Sequence, residues 1–221
     1  MKHKKIGTRF MALGLVLLLA ALCLTGFNIW DMRRAAASSD AIMQQLDAVV
    51  PQRKPAMEKS ALIQAETIEE QGAEQEMEIP DYILVPEMDM PETVMDGIAY
   101  IGILEIPDLG LSLPVTSSWN YELLRNSPCR YTGSAYTNDL VIAAHNYAKH
   151  FGNLKNLYLD SEIFFTDANG NVFRYLVVEL ETLEATDIEG MTSDTRGITL
   201  FTCTVGGQSR VTVRAERADL A

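Results

Sequence analysis

Cysteine and histidine are scarce in this chain, with three of each in 221 residues. That scarcity removes whole reaction classes. No paired C-x-x-C motifs and no H-E-x-x-H stretch occur, so neither a zinc ribbon nor a zincin-type protease helix can be assembled. The G-x-S-x-G elbow, the phosphate loop and the G-x-G-x-x-G fingerprint are also missing, as are internal repeats. Basic residues are few: 18 Lys and Arg against 30 Asp and Glu give a net charge of -12. Lys2, Lys4, Lys5 and Arg9 are the only charged side chains before Asp31, so the remainder carries -12 minus 4, or -16. A surface of that sign repels phosphate backbones, and no nucleic-acid partner is expected. Asp160, Glu162 and Asp167 are spaced unlike the ligands of an EF-hand loop, and the expectation is no metal and no cofactor.

The first feature present is an uncharged run from Phe10 to Trp30, F-M-A-L-G-L-V-L-L-L-A-A-L-C-L-T-G-F-N-I-W. About 20 apolar residues suffice for a helix to cross the hydrocarbon core. The basic residues before it place the N-terminus in the cytoplasm, and Trp30 suits the outer interface. A cleaved signal peptide is the competing reading, with Ala35-Ala36-Ala37 as cleavage site. Against it, the run is longer than a signal h-region, and Arg33-Arg34 intervene. A lipoprotein signal at Cys23 is disfavoured by Leu22 before it.

Asp31 to Val50 is Ala-rich with spaced Ile, Met, Leu and Val, a helix that Pro51 should end. Glu58 to Asp96 holds twelve acids against one lysine, with prolines at 80, 86 and 91. Such a composition buries no core and reads as an acidic stalk. The alternative is a lid, in which the apolar residues of Val85-Pro86-Glu87-Met88-Asp89-Met90-Pro91 fold back over a cleft. The organisation expected is therefore a cytoplasmic basic tail and transmembrane signal anchor over 1–30, an extracellular helical and acidic linker over 31–96, and a folded domain over 97–221.

Within that domain, Tyr100 to Ile106 and Leu111 to Val115 read as strands around the Pro107-Asp108-Leu109-Gly110 turn. Tyr121 to Leu124 reads as one helical turn, Leu140 to Ala144 as a strand, and Asn153 to Leu159 as a short helix or loop. Ile163 to Thr166 and Val172 to Leu183 form a hairpin around Asp167-Ala168-Asn169-Gly170, since Asn-Gly is a strong turn signal. Strands dominate and turns recur every 8 to 12 residues, which argues a mostly β protein, a small barrel with few short helices.

The stretch that carries chemistry is T-L-F-T-C-T-V-G-G-Q-S-R-V-T-V-R, Thr199 to Arg214. It reads as two strands joined by a Gly-Gly loop. In the second, Val211, Val213 and Ala215 alternate with Arg210, Thr212 and Arg214, so Arg210 faces away from the apolar side. If the strands pair across Thr204 to Ser209, Cys203 and Arg210 lie nearly opposite, with Cβ atoms about 5 Å apart. A cation favours thiolate over thiol, and its N–H fork can hold a developing oxyanion. The proton carrier must be a histidine. His3 lies in the basic N-terminal run and His150 in a loop, whereas His145 sits where the apolar strand Leu140 to Ala144 ends.

Thr199-Leu200-Phe201-Thr202-Cys203 with Arg210 resembles the T-L-x-T-C signature and downstream arginine of the sortases, Gram-positive cysteine transpeptidases. Tyr100 to Val115 is similar to the opening strands of the sortase barrel, and L-V-I-A-A-H-N-Y to the segment that ends on the catalytic histidine. The likeness spans about Ala99 to Arg217. Many sortases carry Gly before that histidine, where Ala144 stands here. The resemblance implies a sortase-like barrel, with Cys203, His145 and Arg210 as catalytic residues. It also implies surface proteins bearing Leu-Pro-any-Thr-Gly-like sorting signals as substrates, and a peptidoglycan precursor or a pilin lysine as acceptor amine. A membrane-tethered cysteine peptidase and a non-catalytic surface module are the rivals. Cys129 is read as structural, and no disulfide to Cys203 is expected in the active enzyme.

Overall fold

The computed structural model describes residues 2–50 and 80–218, the side chains from Phe10 on. Nine strands form one sheet: β1 (Thr93–Met95), β2 (Ile98–Ile106), β3 (Leu111–Thr116), β4 (Cys129–Thr132), β5 (Asp139–Ala143), β6 (Glu162–Asp167), β7 (Val172–Glu184), β8 (Gly197–Cys203) and β9 (Ser209–Arg217). Their order is β1-β2-β3-β4-β5-β8-β9-β7-β6, and β6 pairs again with β2. Eight strands, β2 to β9, thus close on themselves, and β1 shares one edge of β2 with β6. The expected mostly β barrel is the observed one.

Closure depends on Gly102. The register of β2 shifts between Tyr100 and Gly102, where β1 hands over to β6, and Gly102 lies opposite Asp167. A Cβ on Gly102 would stand 2.0 Å from the Thr166 carbonyl oxygen, which belongs to the paired strand and cannot withdraw without opening the seam. Overpacking of this kind costs about 3 kcal/mol. Gly102→Ala is expected to lower the thermal midpoint by about 10 °C, measured by circular dichroism.

Two of the barrel contacts are parallel, β3 with β4 and β5 with β8. The second fixes the site, since β5 and β8 run the same way and end together. Alternation along them separates two clusters. Leu140, Ile142, Ala144, Ile198, Leu200, Val213 and Ala215 fill the barrel interior with Phe165, Phe173 and Tyr175. Val141, Ala143 and Phe201 point outward and form a satellite cluster with Met191, Leu124, Tyr131 and Leu183.

The sequence predicts a membrane-spanning run and a separate helix after it; both belong to one helix, α1 (Lys2–Val49). Its apolar part is exposed throughout, and it is long and apolar enough to cross a membrane. Beyond Trp30 the helix lies along the barrel. Ala35, Ser39, Met43 and Leu46, spaced 4, 4 and 3, are its buried stripe. Met43 and Leu46 pack on Tyr100 and Ile103.

The acidic stalk needs correction where it is described; its part within 51–79 lies outside the described residues. Residues 80–96 are packed structure, including α2 (Asp81–Leu84) and β1. Tyr82 stacks on Tyr136 with ring centroids 4.8 Å apart and meets Phe173 edge-on at 5.3 Å. Met90 is buried beside them in the main core. Phe173 lies at the start of β7, and Tyr175 pairs with Arg217 at the end of β9. That is the end of the barrel remote from Cys203, which pairs with Arg210 where β9 begins. The segment therefore plugs the base, and the lid over the cleft is not formed by residues 85–91. Average composition hid this, because two apolar side chains suffice to dock a short segment.

The hairpin β6–β7 turns as expected. The Asp167 carboxylate accepts from the Asn169 and Asn171 backbone N–H groups, each at 2.9 Å, from Asn171 Nδ2 at 2.8 Å and from the Tyr136 hydroxyl at 2.7 Å. It is thereby committed to the turn, and Glu162 to an ion pair with Arg174. Among the described residues no three His, Cys, Asp or Glu side chains converge as a metal site would need.

Candidate active site

Three residues singled out from the sequence lie at one end of the barrel. Cys203, the last residue of β8, pairs in register with Arg210, the second residue of β9. On the other side of β8, Ala143 pairs with Phe201 in parallel. The next bonds run from the Ala144 N–H to the Phe201 carbonyl at 3.2 Å, and from the Thr202 hydroxyl to the Ala144 carbonyl at 2.8 Å. His145 thus follows β5 at the end of the barrel where β8 reaches Cys203. Alternation then decides which way the side chains point. Phe201 faces outward, so Cys203, two residues further on, faces outward too, and Arg210 shares that face by its pairing, while His145 lies two residues past the outward Ala143, beyond the end of β5. His3 is remote in sequence, and its side chain lies outside those described.

The Thr204 to Ser209 loop closes the hairpin. The Thr204 N–H donates to the Ser209 carbonyl at 2.9 Å, and Gly206 and Gly207 adopt φ of 89° and 74°, where a side chain would be strained. Arg210 Nη1 donates to the carbonyls of Gly207 at 3.0 Å and Ser209 at 3.1 Å. One arm of the guanidinium thus braces the loop beside Cys203.

Cys203 is partly exposed and Cys129 fully buried, and both are free thiols. Cys129 pairs with Ala143 on β5, so a whole strand separates it from β8, about 10 Å. That exceeds the reach of a disulfide. Burial pushes the Cys129 thiol up to about 11, leaving it protonated and unreactive at neutral pH.

Burial holds the His145 imidazole below its ordinary value; the Asp31 charge pulls it back up and Arg125 pushes it further down. His150 is buried completely, and neither ring nitrogen has a hydrogen-bond partner. Burial, with the nearby His145, lowers it to about 4. Unfolding restores a value near 6.5, so the unfolded chain binds the extra proton first. Stability from this group is complete above pH 6.5 and is lost as pH falls toward 4, by about 3 kcal/mol in all. The loss between pH 7.5 and 4.5 in urea titrations should shrink in His150→Leu; an equal loss in both proteins would remove His150 as its source.

Below Cys203 the outward face is apolar. Phe201, Ala143, Tyr131, Leu183 and Met191 form its floor. Tyr131 meets Phe201 edge-on at 5.4 Å and stacks on Trp119 at 5.4 Å, beside an open cleft of about 410 Å³. Met191 comes from α3 (Ile188–Thr192), in the connection between β7 and β8. That connection is tied down by Arg214, opposite Thr199 in β9. Arg214 pairs with Glu181, donates to the Gly190 carbonyl at 2.6 Å and reaches Asp194 at 3.6 Å. Sequence reasoning passed over Arg214 because its outward position looks like an ordinary surface charge. It also passed over Asp31 and Tyr147, whose contact spans 116 residues.

The sortase domain model matches residues 104–218, just over half of the chain. Among solved structures, sortase C of Clostridium perfringens with the C-terminal cell wall sorting motif is 22% identical with a TM-score of 0.50, covering 63% of this chain and 76% of that one. Sortase C1 from Streptococcus suis is 24% identical with a TM-score of 0.48, covering 53% and 72%. A Clostridium perfringens sortase D5 transpeptidase is 21% identical with a TM-score of 0.49, covering 62% and 86%. No curated protein matches. At 22% identity the first of these structures speaks for the fold alone, and the domain match, over the segment that carries the barrel and the thiol hairpin, speaks for the family. The chain belongs to the sortases, the cysteine transpeptidases.

Proposed function

We propose that this protein is a membrane-anchored transpeptidase that acts outside the cell on surface proteins bearing Leu-Pro-any-Thr-Gly-like sorting signals. The observation that supports the reading is the cross-strand pairing of Cys203 with Arg210 above an apolar floor, with His145 following the parallel strand beside them. The Cys203 thiolate attacks the threonine carbonyl, a sulfur–carbon bond forms, and the oxyanion is held by Arg210. The carbon–nitrogen bond then breaks, and the departing amine takes a proton from the His145 imidazolium. The incoming amine gives a proton to His145 and attacks the thioester, which restores the thiolate. A peptidoglycan precursor or a pilin lysine serves as that amine. The uncharged run in α1, preceded by basic residues, supports an anchor with the N-terminus in the cytoplasm.

The test is mass spectrometry of Cys203 after incubation with candidate signal peptides, with and without an added amine. The expected result is an acyl adduct on Cys203 that the amine converts to amide product. Product that stays hydrolysed at high amine would make the protein a peptidase. Absence of any adduct with every peptide would leave the barrel a scaffold.

A further inference from the structure

His145 stands just past the last ladder bond of β5, so the strand alone does not set its ring orientation. The following loop must do so, and that loop is built on Tyr147. The Tyr147 carbonyl accepts from the His150 and Gly152 N–H groups, each at 2.9 Å, and the Phe151 N–H returns to the His145 carbonyl at 3.1 Å. The Tyr147 ring lies between two imidazoles, with centroids 5.0 Å from His145 and 5.6 Å from His150. A side chain at Gly152 would stand 2.5 Å from the Asn146 carbonyl oxygen, so the turn has no slack.

The far end of Tyr147 is held by α1. Its hydroxyl donates to Asp31 Oδ2 at 2.5 Å. Arg34 Nε and Nη2 hold Asp31 Oδ1 at 3.3 Å each, while Arg34 Nη1 donates to Asn126 Oδ1 at 3.1 Å, just before β4. The carboxylate is thus fixed from both sides, one residue past the apolar run. Four buried side chains along the same helix hold it against the barrel, so Asp31 cannot drift from the loop.

We propose that the first turn of α1 beyond the apolar run belongs to the active site: Asp31, through the Tyr147 hydroxyl, positions the loop that carries His145. Asp31 and Tyr147 are positioning residues, since neither is placed against the thiol. The contact has a second effect, because a carboxylate facing His145 favours its charged form. The groups that bear on that charge are Asp31 from α1, Arg125 after the helical turn Tyr121–Leu124, His150 in the loop itself, and Cys203 and Arg210 on the neighbouring hairpin. Asp31 is the only carboxylate among them. The hydrogen bond to Tyr147 is the main cause that holds its carboxyl below the usual range, so it stays ionised wherever His145 titrates.

This proposal rests on His145 as proton carrier, and the test separates the two. Full-length protein in detergent micelles is compared with Asp31→Asn, Tyr147→Phe, the double variant and His145→Gln. Two readouts are used: kcat/KM for amine-dependent transfer of a sorting-signal peptide, and the pH dependence of Cys203 alkylation by iodoacetamide, which needs no substrate. Each single change is expected to lower kcat/KM about tenfold, mainly in kcat, as loss of a hydrogen bond to a charged group would. The double variant should be no worse than the weaker single one. Asp31→Asn should also move the histidine-dependent limb of the alkylation profile to lower pH, which a merely structural role would not do. An inactive His145→Gln beside Asp31→Asn and Tyr147→Phe within twofold of wild type overturns the positioning role alone. Additive losses with an unmoved alkylation profile do the same. A fully active His145→Gln enzyme overturns the site assignment and this proposal with it.

Discussion

Cys203→Ala is expected to abolish acyl transfer, with kcat/KM falling at least about 10⁴-fold and no acyl adduct in the mass spectrum. No other described thiol can substitute: Cys129 is buried and protonated, and Cys23 sits in the apolar part of α1. Its small, outward, partly exposed position predicts little loss of stability, so the variant should fold and bind peptide. His145→Ala should reach a similarly low rate, because without the imidazole the leaving amine has no proton donor on the same face. The two changes together should cost scarcely more than either, since both disable one step. A Cys203→Ala protein that still transfers the peptide would end the account of this face as an acyl-transfer site.

Arg210→Ala comes second, with an expected loss of about 10²- to 10³-fold, the range for removal of an oxyanion donor. The loss should fall mainly on kcat, because the charge it stabilises develops only in the transition state. Arg210 also donates to the Gly207 and Ser209 carbonyls, so some loosening of the Thr204 to Ser209 loop should raise KM as well. Arg210→Lys separates the parts. An ammonium supplies charge without the planar fork, so it should recover little of kcat. Steady-state kinetics on the three proteins measures both parameters, and a fully active Arg210→Ala enzyme would remove the oxyanion role.

The hairpin that pairs Cys203 with Arg210 was legible in the sequence for a physical reason. Cys203 and Arg210 lie on a hairpin whose pairing follows from period-2 alternation and a short loop, and His145 follows an apolar run that reads as a strand. Local patterns settle such things. What escaped notice depends on contacts between distant segments. Asp31 is an ordinary acid after an apolar run until Tyr147 is seen to donate to it. Tyr82 and Met90 sit in an acidic, proline-bearing stretch whose composition argues against burial, yet both enter the core. β4 is four residues, Cys129–Thr132, with no alternation of its own. Its place is set by the strands on either side, Thr116 of β3 and Ala143 of β5.

On the proposed membrane anchoring, the unbroken course of α1 from its apolar part to the part that braces the barrel has a geometric corollary. There is no swivel between anchor and enzyme. With the apolar part of α1 in a bilayer, the height of the thiol above the lipid headgroups, and the compass direction in which its face opens, would be set by the phase of α1. One residue inserted after Trp30 would lift the barrel by about 1.5 Å and swing it through about 100°. Partners diffusing in the plane of the membrane would then meet the enzyme from a different side.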